Sequence, residues 1–248
     1  MLTLIAGYIL LVLSGLALCL GAVLPYIVSL YRMHLKYDVN YDTFQPMQAL
    51  TEIFASVSFP ISNYLIDKHF RRHSRPVILL GGLLGLSLLF FSVALHVSPH
   101  VFLLMYASGN GIVKGFFKQS SLVAGWSHLG GKKGLVSGVI LSGYGVGGAF
   151  FSIYYNMRVD SLGENPKLDK KDGNMYFPEA VGARYPDIQK ETCLGMVAVM
   201  LIAVALISNY RPKKSGTVAD SNLKNSFIDL TPSKRERLGI LLDHETLV

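Results

Sequence analysis

Two long runs of this sequence, residues 3–30 and 76–97, contain no Asp, Glu, Lys or Arg. A helix of roughly 20 residues crosses a hydrocarbon layer about 30 Å thick, so each run is long enough to span a membrane. Hydrophobic residues make up 51% of the chain and charged residues only 16%, and the mean hydropathy is +0.40. These values are too apolar for an ordinary soluble domain. The sequence therefore predicts an integral, multi-pass membrane protein.

Four further segments are apolar enough to predict spans, although each contains charge, Pro or many Gly: residues 44–66, 100–124, 134–155 and 192–208. Backbone groups in lipid must form hydrogen bonds within their own segment, which favours helices, and the period-2 alternation of a membrane β-barrel is absent. We therefore predict an all-α, six-helix transmembrane bundle over residues 1–209. The prediction adds a long non-cytoplasmic link at residues 156–191 and a polar tail at residues 210–248.

The distribution of basic residues predicts the orientation of this bundle. Basic residues are concentrated between the second and third segments and between the fourth and fifth, and they recur after Arg211, whereas acidic residues outnumber basic ones in the long link. Basic loops resist translocation, so both termini are expected on the cytoplasmic or matrix side. Plasma membrane and mitochondrial inner membrane both stay open. The net charge of +7 is explained by this topology, and no nucleic-acid-binding motif accompanies it.

Of the Asp, Glu, Lys and Arg residues, three lie within predicted spans: Glu52, Lys114 and Lys118. Such residues are costly in lipid and tend to face a cavity or a partner. The two lysines share one helix face, and with Asn110 and Tyr106 they predict a polar, substrate-binding stripe. Lys114 lies too deep to reach the surface easily, so its charge calls for a negative partner, either an anionic ligand or Glu52. Lys118 is close enough to the helix end for its ammonium to reach the interface.

Small residues recur along the fifth predicted span, with Gly134, Gly138, Gly143 and Gly147 among them. Helices in lipid associate through small residues that let backbones approach closely. We interpret these glycines as helix-packing positions rather than substrate contacts. The sequence contains no nucleophile–base pair, phosphate loop or dinucleotide fingerprint, and its histidines and cysteines lack metal-ligand spacing, so no enzyme activity, cofactor or metal is expected.

The stretch N-Y-L-I-D-K-H-F-R-R, from Asn63 to Arg72, resembles the loop 2–3 signature of the major facilitator superfamily, although Asn63 and Phe70 replace its two glycines. The charged positions of that signature are occupied by Asp67, Lys68, Arg71 and Arg72. A second stretch, Trp126 to Phe151, is similar to loop 4–5 and helix 5 of the oxalate/formate antiporter and monocarboxylate transporter branch. There, too, a tryptophan, a short basic link and a glycine-rich helix follow one another.

The resemblance covers one half of the family architecture, because no seventh span follows. It implies transport of a small mono- or dicarboxylate by alternating access, after pairing with a second six-helix bundle. It also implies that Lys114 lies on the substrate path and that Asp67 and its basic neighbours form a gating hairpin. The alternative is a transport-inactive structural or accessory subunit of a larger membrane complex. In both hypotheses the partners are membrane lipids and other membrane-embedded helices.

Overall fold

The computed structural model describes residues 1–70, 73–95, 97–159, 163, 166–168 and 173–208. Within these ranges the chain forms six long helices and one short two-stranded sheet. The helices are α1 (Leu2–His34), α2 (Met47–Tyr64), α3 (Ser74–Ala94), α4 (Pro99–His128), α5 (Lys133–Val159) and α6 (Tyr185–Leu206). The strands are β1 (Lys167–Leu168) and β2 (Met175–Tyr176), which pair antiparallel.

Among the described residues, four helical segments are long and apolar enough to cross a membrane: Leu2–His34, Ser74–Ala94, Lys133–Val159 and Glu179–Leu206, the last of which contains α6. The prediction of an all-α, multi-pass membrane protein is thus confirmed. Helices α2 and α4 do not reach the same hydropathy, because polar and charged residues such as Glu52, Lys114 and Gln119 interrupt them.

Helix α1 is not a regular α-helix along its whole length. A 3₁₀ turn at Gly15–Cys19 and a π-helical turn at Leu30–His34 interrupt it, and Pro25 lies inside its second α-helical section. The 3₁₀ turn begins at a close approach of α5, where a Cβ added at Gly15 would lie 2.5 Å from the carbonyl carbon of Gly147. Only a residue without a side chain allows this approach of two backbones.

Helix α4 is the central helix, with α2 and α3 packed closely against it. At the α2 contact, a Cβ on Gly111 would lie 2.8 Å from the Thr51 carbonyl oxygen. At the α3 contact, a Cβ on Gly109 would lie 2.8 Å from the Gly85 carbonyl oxygen. Lipid supplies no hydrophobic force between helices, so this backbone-to-backbone packing is what holds them together.

The four glycines predicted for packing on α5 fall into two pairs. Gly143 and Gly147 face α1 closely, with Cβ positions that would meet the carbonyl oxygens of Tyr8 and Val12. Gly134 and Gly138 face open space, with no heavy atom within 4 Å of an added Cβ. They lie on the exposed side of α5, beyond the reach of any neighbouring helix in the described residues.

The start of α1 and the end of α6 meet at one face of the bundle. Thr3, near the start of α1, contacts Ser208 after α6 through their hydroxyls at 3.1 Å, and His128 at the end of α4 lies 3.2 Å from the same Thr3 hydroxyl. At this face Arg75 also donates to the Ile207 and Ala205 carbonyls at 2.6 and 3.1 Å. These bonds satisfy the last carbonyls of α6, which have no partner within the helix.

The opposite face is covered by the described part of the link between α5 and α6. Phe177 donates its backbone N–H to the Ser29 hydroxyl at 2.9 Å and its ring lies 4.9 Å from that of Tyr26. Tyr176 is buried, with its ring stacked on Tyr41 at 5.6 Å. The link is therefore a packed cap on the end of α1. The predicted tail at residues 210–248 lies outside the described residues.

Candidate functional site

A polar cleft opens on the flank of the bundle, along the contact of α2 with α4. Its volume is about 370 Å³. Charged side chains from both helices reach into it, and the close approach at Gly115, where a Cβ would lie 2.9 Å from the Ala55 carbonyl oxygen, forms its narrow floor. The lining residues are Glu52, Ala55, Ser56, Phe59, Lys114, Gly115 and Lys118.

Lys114 binds Glu52 across this contact. Its Nζ lies 2.5 Å from Oε1 and 2.7 Å from Oε2 of that carboxylate, and 4.8 Å from the centre of the Tyr144 ring on α5. The lysine side chain is only 15% exposed, while that of Glu52 is 48% exposed. The carboxylate thus supplies the negative partner that the depth of Lys114 requires, and the Tyr144 ring adds a cation–π contact. One ammonium joins three helices.

Glu52 is itself held in place on α2. The amide of Gln48, one turn earlier, donates to Glu52 Oε1 at 3.2 Å. This bond and the two from Lys114 orient the carboxylate toward α4. Because about half of the Glu52 side chain is exposed, it stays accessible from the open side of the cleft.

Lys118 lies one turn further along α4 and has a different environment. Its Nζ is 5.7 Å from the centre of the Phe59 ring. No carboxylate within the described residues forms an ion pair with it. The cleft therefore holds two ammonium groups and one carboxylate, which leaves an excess positive charge beside the Lys114–Glu52 pair.

Tyr106 and Asn110 do not join the lysines. Both are buried inside the bundle: Tyr106 stacks on Phe102 at 5.5 Å, and Asn110 donates its amide to the Tyr106 carbonyl oxygen at 3.1 Å. Four residues of an α-helix turn through about 400°, so residues at this spacing drift by about 40° per step. The predicted stripe therefore winds from the interior at Tyr106 to the flank at Lys118, and Tyr106 and Asn110 do not line the cleft. The substrate-binding role of these residues stays a prediction.

Two aromatic contacts of the site were missed by the sequence analysis. Tyr144 lies in a glycine-rich helix, and Phe59 lies in an apolar run, so neither carries a local signal of a role beside a lysine. Only the packing of α5 and α2 against α4 reveals them.

The hairpin between α2 and α3 lies away from the cleft. Asp67 and Lys68 belong to a π-helical turn, Leu65–His69, and both are exposed; the Lys68 ammonium lies 5.1 Å from the Tyr64 ring. Arg71 and Arg72 lie outside the described residues. The gating role thus stays a prediction.

Within the described part of the chain, no three His, Cys, Asp or Glu side chains gather in a way that could hold a metal ion. The sequence matches no protein-family model and no curated protein.

Proposed function

We propose that this chain forms a six-pass membrane bundle of the major facilitator type. In this proposal it pairs with a second bundle and moves a small mono- or dicarboxylate across the membrane by alternating access. The flank cleft is the observation that carries the proposal, because it holds Lys114 near the middle of α4 and a second ammonium, that of Lys118, one turn further along the same helix. Ionisable side chains at that depth are typical of a substrate path or a buried partner.

The proposal of six crossings is supported by where α2 and α4 place their polar residues. Each is as long as a spanning helix, and each directs its charges into the cleft they share, where Glu52 offsets the charge of Lys114. Their exposed surface is otherwise apolar, with Ile53, Val57 and Leu104 among its side chains. A helix that packs its polar face away from lipid can cross with a lower mean hydropathy than an isolated span needs.

The orientation is supported by where the basic residues converge. Arg75 binds the end of α6, and Lys132 and Lys133 follow α4 close to the contact of Thr3 with His128. All of these basic residues lie at the face of the bundle where the start of α1 meets the end of α6. Under the positive-inside rule this face is cytoplasmic or faces a matrix.

A carboxylate entering the cleft would meet two ammonium groups. Lys118 offers three N–H donors with no competing carboxylate among the described residues, so it would make the first contact. The ligand would then share Lys114 with Glu52, whose exposed half leaves room for this exchange. A second bundle closing over the flank would remove water and strengthen these contacts, since charges interact more strongly at lower dielectric.

The test is uptake of labelled carboxylates into proteoliposomes that contain the protein with whatever bundle co-purifies in mild detergent. Wild type should accumulate label, and Lys118→Ala should lower uptake at least tenfold while Lys118→Arg retains part of it. Lys132→Ala, an exposed lysine at the end of the bundle, is the matched control and should transport normally. Equal uptake by Lys118→Ala and the control, with folding verified, would contradict the proposal.

A second candidate function, as a structural subunit of a larger membrane complex, is favoured by the Lys114–Glu52 pair. The pair is complete without any ligand, as expected of an ion pair retained for packing. Under this alternative, Lys114→Met combined with Glu52→Met should leave assembly intact, because apolar residues can replace a buried pair. In the transport proposal the same double variant should still assemble with its partner but lose uptake.

A further inference from the structure

A second groove lies on the outside of the bundle, between α5 and α6. Its volume is about 210 Å³, and its walls are apolar and aromatic, with Phe150 and Tyr154 on α5 and Met196 and Val199 on α6. Gly195 leaves the α6 side of the groove open, since no heavy atom of the described residues lies within 4 Å of a Cβ added there. This groove is separate from the polar cleft, which lies between α2 and α4.

The groove ends at an ion pair. Glu191 lines its end, and Arg158, near the end of α5, donates to Glu191 Oε2 at 2.8 Å. Both side chains are more than half exposed, at 55% for Arg158 and 57% for Glu191. They therefore present one positive and one negative group at the mouth of an apolar groove.

The position of this pair coincides with a change in composition on both helices. Residues 134–157 of α5 contain no Asp, Glu, Lys or Arg, and Arg158 is the first charge that follows. Residues 192–207 are likewise free of these residues, and Glu191 immediately precedes them. The pair thus marks the level at which both helices leave the apolar layer, which is where lipid headgroups lie.

We propose that this groove binds one acyl chain of a phosphatidylethanolamine molecule, with the headgroup at the Arg158–Glu191 pair. The guanidinium would bind the phosphate, for which its planar donor set is suited, and the Glu191 carboxylate would accept from the ammonium. Exposed apolar side chains around the groove, Ile153 and Leu194 among them, place it on a surface that faces lipid chains.

The charge arrangement selects a zwitterionic headgroup over an anionic one. A phosphatidylglycerol headgroup brings only negative charge, which Glu191 repels, whereas an ethanolamine headgroup matches both members of the pair. The groove is also smaller than the roughly 300–1,000 Å³ cavities that hold drug-sized ligands, and its length from Glu191 to Val199 is about 12 Å. Those dimensions suit a single hydrocarbon chain rather than a partner helix.

The experiment reconstitutes the full chain in vesicles of equal parts dioleoyl-phosphatidylethanolamine and dioleoyl-phosphatidylglycerol, and then counts retained lipids by native mass spectrometry after mild extraction. Because exposed charge pairs contribute little binding free energy, the expected preference is modest: wild type should retain about threefold more of the ethanolamine lipid than of the glycerol lipid. Glu191→Gln should bring that ratio close to one. Gly195→Phe, which fills the groove from an open position, should lower the total lipid retained.

Leu201→Phe is the matched control, since Leu201 is exposed on α6 but does not line the groove. It should retain lipid as wild type does. Equal retention of the two lipids by wild type would overturn the proposal, as would a Gly195→Phe variant that holds as much lipid as the control. A native mass spectrum in which the wild-type chain retains no lipid, with or without a second protein bound, would also overturn it.

Discussion

Replacing Gly147 with Ala should separate α1 from α5. A Cβ at this position would overlap the Val12 carbonyl oxygen and lie 2.8 Å from the Val12 carbonyl carbon, where ordinary van der Waals contacts begin at 3.4 Å. The two backbones would have to move apart by at least about 0.6 Å, and neither can relieve the overlap by a rotamer change. Overpacking of this kind typically costs 1–3 kcal/mol, so we expect a loss near the upper end, about 3 kcal/mol of unfolding free energy.

Gly145→Ala is the matched control, because Gly145 lies two residues away on the same helix with no heavy atom within 4 Å of an added Cβ. It should be neutral or stabilise the helix by up to about 1 kcal/mol. Unfolding in mixed micelles can be followed by the fluorescence of Trp126, the single tryptophan, which donates to the Ser137 hydroxyl on α5 at 2.9 Å. If both variants unfold at the same denaturant concentration, the close approach of α1 and α5 described above is incorrect.

Three further substitutions test the buried polar groups and the end of α6. Tyr155→Phe removes a hydroxyl that donates to Gln189 Oε1 at 2.5 Å in a fully buried site, and it should cost about 2 kcal/mol in the same unfolding assay. Tyr106→Phe should be neutral or stabilising, because the buried Tyr106 hydroxyl forms no hydrogen bond with any residue that the structure describes. A comparable loss from both variants would contradict this reading. Arg75→Gln should lower the thermal stability by about 1 kcal/mol through loss of the bond to the Ile207 carbonyl, and an unchanged melting curve would show that this bond contributes nothing.

The membrane-embedded class could be read from the sequence because a long charge-free run has few alternatives to a spanning helix. The helix boundaries could be predicted less accurately from the sequence. The last span was predicted from residue 192, yet α6 begins at Tyr185. The helix continues past the apolar run because its charged residues, such as Asp187, are exposed while Tyr185 and Gln189 pack inward. Charge ends an apolar run, but it does not end a helix that has one face in water.

The site could be predicted only in part, because its geometry depends on how helices rotate against each other. The sequence left open whether Lys114 pairs with Glu52 or with a ligand, and the α2–α4 contact brings the two side chains together. The rotation of α5 about its own axis also places Gly138 toward open space while Gly147 contacts α1. Yet each of these two glycines follows another glycine four residues earlier in the sequence. No property of a single helix determines which of its faces meets a neighbour.

The glycine contacts divide the bundle into parts of unequal rigidity. Where backbone meets backbone, as at Gly109 with Gly85 and at Gly147 with Val12, any sliding produces immediate overlap. Where side chains intervene, as at Gly82 against the Met200 sulfur, a rotamer change can absorb a shift. Helices α2, α3 and α4 therefore form one rigid block, and α1 with α5 forms another. Internal motion costs least when these two blocks slide past each other and past α6.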